Sequence, residues 1–298
     1  MTWPFGHYPA GGLVPLGPHV TAFHAEAFPL SNSAIVRGAD ATLVFDANCF
    51  EGARALLAGA GSPGPPVRDL VLSHGHDDHW MGSELFAPPA MIHARRGVRE
   101  RLQRTASEGR VPGAQYRRDD DPAREEPVRI VLPDALVEGG RTIDLGGGVR
   151  VHLQPVPPAH TDGDLWALVE PDLVALCGDL WYVDCEPFVG SGSVRGLLDA
   201  LASVRDAEAR IHLPGHGPGA ILGPAASDPA SRYLTWVLET TAEEHERGLA
   251  GRALGARVRE RFEDQRSRPG GVDVPLRLPG FLETTTAAAE RDLQTSAI

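Results

Sequence analysis

Residues 73–79, Ser73-His74-Gly75-His76-Asp77-Asp78-His79, constrain this chain more than any other stretch. Four side chains able to bind a metal fall within six residues, spaced His-x-His-x-Asp-His. The preceding Val67-Arg68-Asp69-Leu70-Val71-Leu72 reads as a buried strand bounded by Pro66. The following Trp80-Met81-Gly82-Ser83-Glu84-Leu85-Phe86 reads as a short helix that Pro88 and Pro89 stop. The cluster thus sits where a strand ends and a helix begins, and in open α/β architectures ligand chemistry gathers at strand ends. His74 and His76 are two apart in extended chain, so their side chains point the same way. Asp78 and His79 fall on the next turn and can face a second point. One segment can therefore offer ligands to two metal ions, which lie about 3.5–4 Å apart in two-metal hydrolases. A single histidine is more often a satisfied core or surface residue; it is the group and its place behind an apolar strand that point to metal.

A chain of 298 residues with 42% hydrophobic residues can bury a large core in one large or two small domains. All 28 basic residues are Arg, which excludes lysine Schiff-base and lysine general-base chemistry. The net charge of −12 argues against a nucleic-acid groove, which needs a basic stripe. Cys49, Cys177 and Cys185 are odd in number and match no disulfide framework or zinc-ribbon spacing. No basic leader opens the chain and no run approaches the roughly 18 apolar residues of a membrane span, so the expectation is a cytoplasmic protein with neither a membrane nor a nucleic-acid partner.

Taken in order, residues 1–18 are rich in Gly and Pro and read as an irregular entry, with His7 and His19 as surface residues. Strands are expected over 19–28, 33–37 and 41–46, the last ending in Asp46, and a helix over 51–60 with Ala53, Leu56, Leu57 and Ala60 on one face. A strand over 90–94 carries His93, read as structural, and a polar helix follows over 95–107. Residues 108–127 are dense in charge, Gly and Pro and read as an exposed insertion or lid. Further strands are expected over 128–132, 142–145, 149–155, 165–169, 173–176 and 210–213. These are arranged so that His160 lies in a loop, Asp179 at a strand end and His216 in a Gly-rich turn. Residues 194–207 form an amphipathic helix, and the chain beyond 230 turns helical.

The series His74-x-His76-x-Asp78-His79, then His160, Gly178-Asp179 and Gly215-His216 resembles the metallo-β-lactamase superfamily in order and context over roughly residues 19–225. The resemblance implies an α/β fold, a four-layer αββα sandwich of two mixed β-sheets. It spans residues 1–228, with a C-terminal helical extension over 229–298. It assigns His74, His76 and His160 to a first metal, Asp78, His79 and His216 to a second, and Asp179 to a bridge between them. Asp46 matches the strand-end Asp that fixes the tautomer of a ligand imidazole. Ser73 replaces the Thr, and Ala159 the Gly, that many members carry. The donors suit two Zn²⁺ per chain, and also Fe or Mn.

Asp at position 179, where the common zinc β-lactamases carry Cys, argues against antibiotic hydrolysis. His76, where flavodiiron proteins carry Glu, argues against that branch. What remains is the branch of glyoxalase II, lactonases and thioesterases. Within it, residues 159–165, Pro187-Phe188 and Gly190-Ser191 are similar to aromatic polyketide cyclase/thioesterases. The implied function is a dinuclear metal-dependent hydrolase in which a hydroxide between the metals attacks a thioester or lactone carbonyl, with Asp78 carrying the proton. The alternatives are a polyketide cyclase that uses the same site for enolisation and aldol ring closure, and a metal-binding protein without catalysis. The partner expected is a small acyl, thioester or polyketide substrate; Trp181 and Tyr182 are candidates for its wall. The oligomeric state stays open.

Overall fold

The structure, a computed structural model, describes residues 12–25, 31–61, 64–110, 128–183, 185–217, 223–266, 272, 276 and 280–295. The expected insertion falls for residues 111–127 outside the described residues, as does His7.

Seven strands form one sheet in chain order: β1 (Gly12–Pro15), β2 (Val20–His24), β3 (Ser33–Arg37), β4 (Thr42–Phe45), β5 (Val67–Val71), β6 (Met91–Ala94) and β7 (Ala135–Leu136). The first four pair antiparallel and the rest parallel. Five strands form the other: β8 (Arg141–Asp144), β9 (Arg150–Pro155), β10 (Leu165–Glu170), β11 (Val174–Tyr182) and β12 (Ile211–His216), antiparallel except for β12 beside β11. The parallel pairs follow from crossover connections. Helix α1 (Phe50–Ala60) joins β4 to β5, and the short α2 (Asp77–Trp80) opens the link from β5 to β6. Helix α3 (Arg96–Ser107) leads toward β7, and α4 (Val194–Asp206) joins β11 to β12. Three helices end the chain: α5 (Asp228–Glu246), α6 (Gly251–Arg266) and α7 (Phe281–Thr295).

Strand alternation sorts the apolar residues into layers. Leu43 and Phe45 of β4 face inward with Leu176 of β11 and Leu153 of β9, which fills the space between the sheets. Val44 points outward to Leu56 of α1 and Leu102 of α3. Leu176 faces in while Ala175 and Cys177 face out, against α4–α7. Two mixed sheets with helices outside make the αββα sandwich. The last helices add Val237, Val258, Phe262 and Leu282 to the core that holds Trp166 and α4.

Several local expectations are corrected. Residues 12–15 of the expected irregular entry form an exposed edge strand; an edge tolerates the Gly and Pro that hide it in the sequence. Residues 128–132 form no ladder: Val128, Ile130, Val131 and Leu132 pack against the outer core of the first sheet, so their apolar run anchors a connection. Leu57 of α1 turns outward. Among the described residues no helix is long and apolar enough to cross a membrane.

Candidate metal centre

All seven donor residues lie at one rim, where β4, β5, β11 and β12 and the loop before β10 converge. Asp46 follows β4 with a left-handed backbone, φ 61°, a conformation uncommon away from Gly. That turn puts its carboxylate under the 73–79 loop. Its Oδ1 accepts from the Ser73 amide (2.7 Å), and its Oδ2 from the Ser73 hydroxyl (2.8 Å) and from His79 Nδ1–H (2.8 Å). Because the Ser73 hydroxyl gives its proton to Asp46, it accepts from His74 Nδ1–H at 3.0 Å. One carboxylate therefore orients two imidazoles, His79 directly and His74 through Ser73. His160 is turned by its own neighbours. Asp164 accepts from the Thr161 amide and hydroxyl, and the Phe188 carbonyl takes the His160 Nδ1–H at 2.6 Å. With Nδ1 engaged, His74, His79 and His160 all present Nε2 to the rim.

Asp179 lies within β11, not at the strand end the sequence suggested. The β11–β12 register shifts between Leu176 and Gly178 and again between Gly178 and Tyr182. Gly178 has φ +52°, and a Cβ there would sit 2.6 Å from Ser73. The break turns Asp179 toward the donors and lets the Ser73 loop lie against the strand. At the end of β12, Asn32 donates to the carbonyls of Pro214 and Gly217, and Ser31 donates to the carbonyl of Asp78, which ties the His216 turn to the cluster.

The donors fall into two groups, His74–His76–His160–Asp179 and Asp78–His79–His216, with ligand atoms in each within 4.8 Å of one another. His76 Nδ1 is 3.1 Å from His74 Nε2 and 2.8 Å from His160 Nε2. Asp179 Oδ2 is 3.3 Å from His160 Nε2, whereas its Oδ1 is 3.1 Å from His79 Nε2. His216 Nε2 is 3.1 Å from Asp78 Oδ2. Asp179 thus lies between the groups, its Oδ1 toward His79 and its Oδ2 toward His160 and, at 3.6 Å, His216.

Burial, reinforced by neighbouring imidazoles, holds His74 and His76 well below the ordinary histidine range; Arg101 adds to the effect on His76. Both are neutral, with lone pairs available. Burial also opposes protonation of His79 and His216, but the Asp179 and Asp78 carboxylates outweigh it and raise both. Burial would raise Asp179 and Asp78 in turn; His79 and His216 outweigh it, together with His74 and His160 around Asp179, so both carboxyls are lowered.

Two observations show that the site fits a metal. His79 Nε2 and Asp179 Oδ1 are fully buried and, although 3.1 Å apart, make no aligned hydrogen bond. Buried polar atoms left unmatched are costly, and the Asp78 carboxylate stands beside them, its Oδ2 3.6 Å from His79 Nε2. The donor set, imidazole nitrogen with carboxylate oxygen, is also one that divalent zinc, iron or manganese accepts.

The two wall candidates part company. Tyr182 lies at the centre: its hydroxyl donates to Asp179 Oδ2 at 2.9 Å, and burial together with the Asp179 carboxylate raises its pKa well above the usual tyrosine range. Trp181 points the other way, fully buried in the helical layer and stacked on His212 with ring centroids 4.5 Å apart. Adjacent strand residues face opposite sides, so both could not line one wall. In the sequence Ser73 reads only as a conservative replacement, and Phe188 only as part of a loose motif. The one signal for Ser73 is its place directly before the cluster; nothing local marks the Phe188 carbonyl as a histidine's acceptor.

The sequence profile of the metallo-beta-lactamase superfamily matches residues 28–216, more than half of the chain. A metallo-beta-lactamase family protein from Thermus thermophilus superposes with a TM-score of 0.66 at 18% identity, covering 95% of this chain and 95% of its own. The sec-alkylsulfatase of Pseudomonas sp. gives 0.66 at 15% identity, over 95% of this chain and 50% of its own, so this chain spans half of that protein's length. A metallo-beta-lactamase from Pontibacter korlensis gives 0.57 at 15% identity, over 76% and 99%. At these identities the likeness is one of fold. No curated protein sequence is significantly similar to this chain.

Proposed function

The chain belongs to the metallo-beta-lactamase superfamily, and from that premise we propose that it is a dinuclear metal-dependent hydrolase acting on the carbonyl of a small acyl thioester or lactone. The observation that carries the reading is the shared carboxylate: Asp179 turns Oδ2 toward His160 and Oδ1 toward His79, so one side chain stands within reach of both donor groups. His74, His76 and His160 would hold one ion, Asp78, His79 and His216 the other, and zinc is the first choice for both. Bound there, the ions would polarise the substrate carbonyl and lower the pKa of an attacking water toward about 7.

The protein's own groups do the rest. Asp46 holds His79, and through Ser73 also His74, in the tautomer that leaves Nε2 free. Tyr182 steadies Asp179 by donating to its Oδ2. Asp78, a buried carboxylate 3.1 Å from His216 Nε2, would accept a proton from water and pass it to the departing thiol or alcohol. A thioester suits such a site because its thiolate leaves readily, and a lactone because Asp78 can protonate the departing alkoxide. Asp rather than Cys at 179, and the net charge of −12, favour it over a β-lactam or a polyanion.

The test is a panel offered to the zinc-loaded protein: an acyl thioester, a lactone, a β-lactam, a phosphodiester, a sec-alkyl sulfate and an aromatic poly-β-ketone mimic. The thioester or the lactone should be cleaved best. Preferred cleavage of the β-lactam, phosphodiester or sulfate would replace the assignment, and a ring-closed product from the poly-β-ketone would establish the cyclase in its stead.

A further inference from the structure

Of the seven donors His76 and His216 are the most exposed, the other five being buried, so the centre is open to solvent on their side. Phe188 borders that opening on the His76 side. Its ring centroid is 5.9 Å from those of His76 and His160, and 4.5 Å from that of Phe281, the first residue of α7. Both phenylalanines are only partly buried. They form an aromatic surface that runs from the metal donors to the last helix.

This surface is held in place. The 186–193 loop lies directly on the His160 loop: the Ser193 amide donates to the Ala159 carbonyl at 2.9 Å, and a Cβ on Gly192 would sit 1.9 Å from that same oxygen. Helix α7 pins the loop from outside. Thr285 Oγ1 accepts from the Val189 amide (3.2 Å), Arg291 donates to the Gly190 carbonyl (2.6 Å), and Asp292 accepts from the Ser193 hydroxyl (3.1 Å) and the Arg195 amide (3.0 Å). Contacts along two turns of one helix fix where the Phe188 ring stands relative to His160.

We propose that Phe188 and Phe281 form an aromatic subsite for the apolar acyl portion of the substrate, so that α7 sets the enzyme's acyl specificity. The inference deepens the hydrolase reading and rests on it for the chemistry, but the subsite itself is a binding surface that can be measured without turnover. An aliphatic or aryl acyl group whose carbonyl lies over the donors would run along the Phe188 ring toward Phe281. A polar or short acyl group would gain nothing there. If the pair served packing alone, its loss would leave chain-length preference untouched.

The experiment uses the full-length zinc-loaded protein and its Phe281→Ala and Phe281→Leu variants. Zinc content and circular dichroism of each confirm that fold and centre are intact. Binding of octanoate and of acetate is measured by calorimetry, and kcat/KM for octanoyl and acetyl thioesters alongside. The unaltered protein should bind octanoate more tightly than acetate. Phe281→Ala should lose about tenfold for octanoate and octanoyl thioester, the scale on which apolar pockets discriminate, with acetate and acetyl thioester unchanged and Phe281→Leu partly restoring the preference. Equal binding of the two carboxylates by the unaltered protein, or an equal effect of Phe281→Ala on both, would overturn the subsite. Octanoate preference lost in Phe281→Ala, but with neither a thioester nor a lactone turned over by any form, would uphold the subsite and refute the hydrolase reading instead.

Discussion

The donor rim and the C-terminal helical layer are built on opposite principles. The rim buries Asp46, Asp78 and Asp179 with His74, His79 and His160 at 0–5% exposure, an arrangement that desolvates charge and polar atoms with few apolar contacts to offset it. The helical layer buries Trp181, Val237, Val258, Phe262 and Leu282 against the outer face of the second sheet, and hydrophobic burial accounts for it directly. The rim is shaped for a ligand, and the sandwich and helices supply the stability that keeps it assembled. Chemistry and stability should therefore separate under mutation.

The strongest way to break this comparison is Asp179→Ala. In the proposed centre Asp179 serves both donor groups, so turnover should fall to background and metal retention with it, while circular dichroism stays that of the folded protein and the unfolding midpoint near that of the metal-free unaltered protein. Near-normal activity would mean that the bridge is misassigned; unfolding would mean that the rim holds the sandwich together. Trp181→Ala probes the other side. Removing a fully buried indole from the helical layer should cost about 3–5 kcal/mol in denaturant unfolding, with metal stoichiometry unchanged in the folded fraction. A variant that kept its stability but lost its metal would reverse the assignment of the two regions.

Finer effects sharpen the contrast. Asp46→Ala removes the acceptor for His79 Nδ1–H and for the Ser73 hydroxyl, so metal affinity should drop about 10–100-fold, measured by competition with a chelating dye. Ser73→Ala leaves the His79–Asp46 bond intact and frees only His74, so its loss should be smaller than that of Asp46→Ala. Equal losses would show that the Asp46 effect runs wholly through Ser73.

The same contrast explains what can be read in the sequence. The 73–79 cluster is local: a strand, a turn and donors in consecutive residues announce both the element and its chemistry. His160, Asp179 and His216 are legible only as an ordered series, because each stands alone in its own segment. Contacts that depend on tertiary packing leave no local mark. Thr285 meets Val189 across 96 residues. Trp181 and Tyr182 cannot be told apart from sequence because the side each faces is set within β11, where the ladder shifts around Gly178. The edge strand β1 is hidden for the opposite reason: an exposed edge needs no apolar alternation, and its Gly and Pro read as loop.

The most direct test of the shared centre is an anomalous difference map from crystals of the zinc-loaded protein. Two peaks should flank the Asp179 carboxylate about 3.5–4 Å apart, one among His74, His76 and His160 and the other among Asp78, His79 and His216. A single peak at full occupancy, or peaks away from Asp179, would contradict the account.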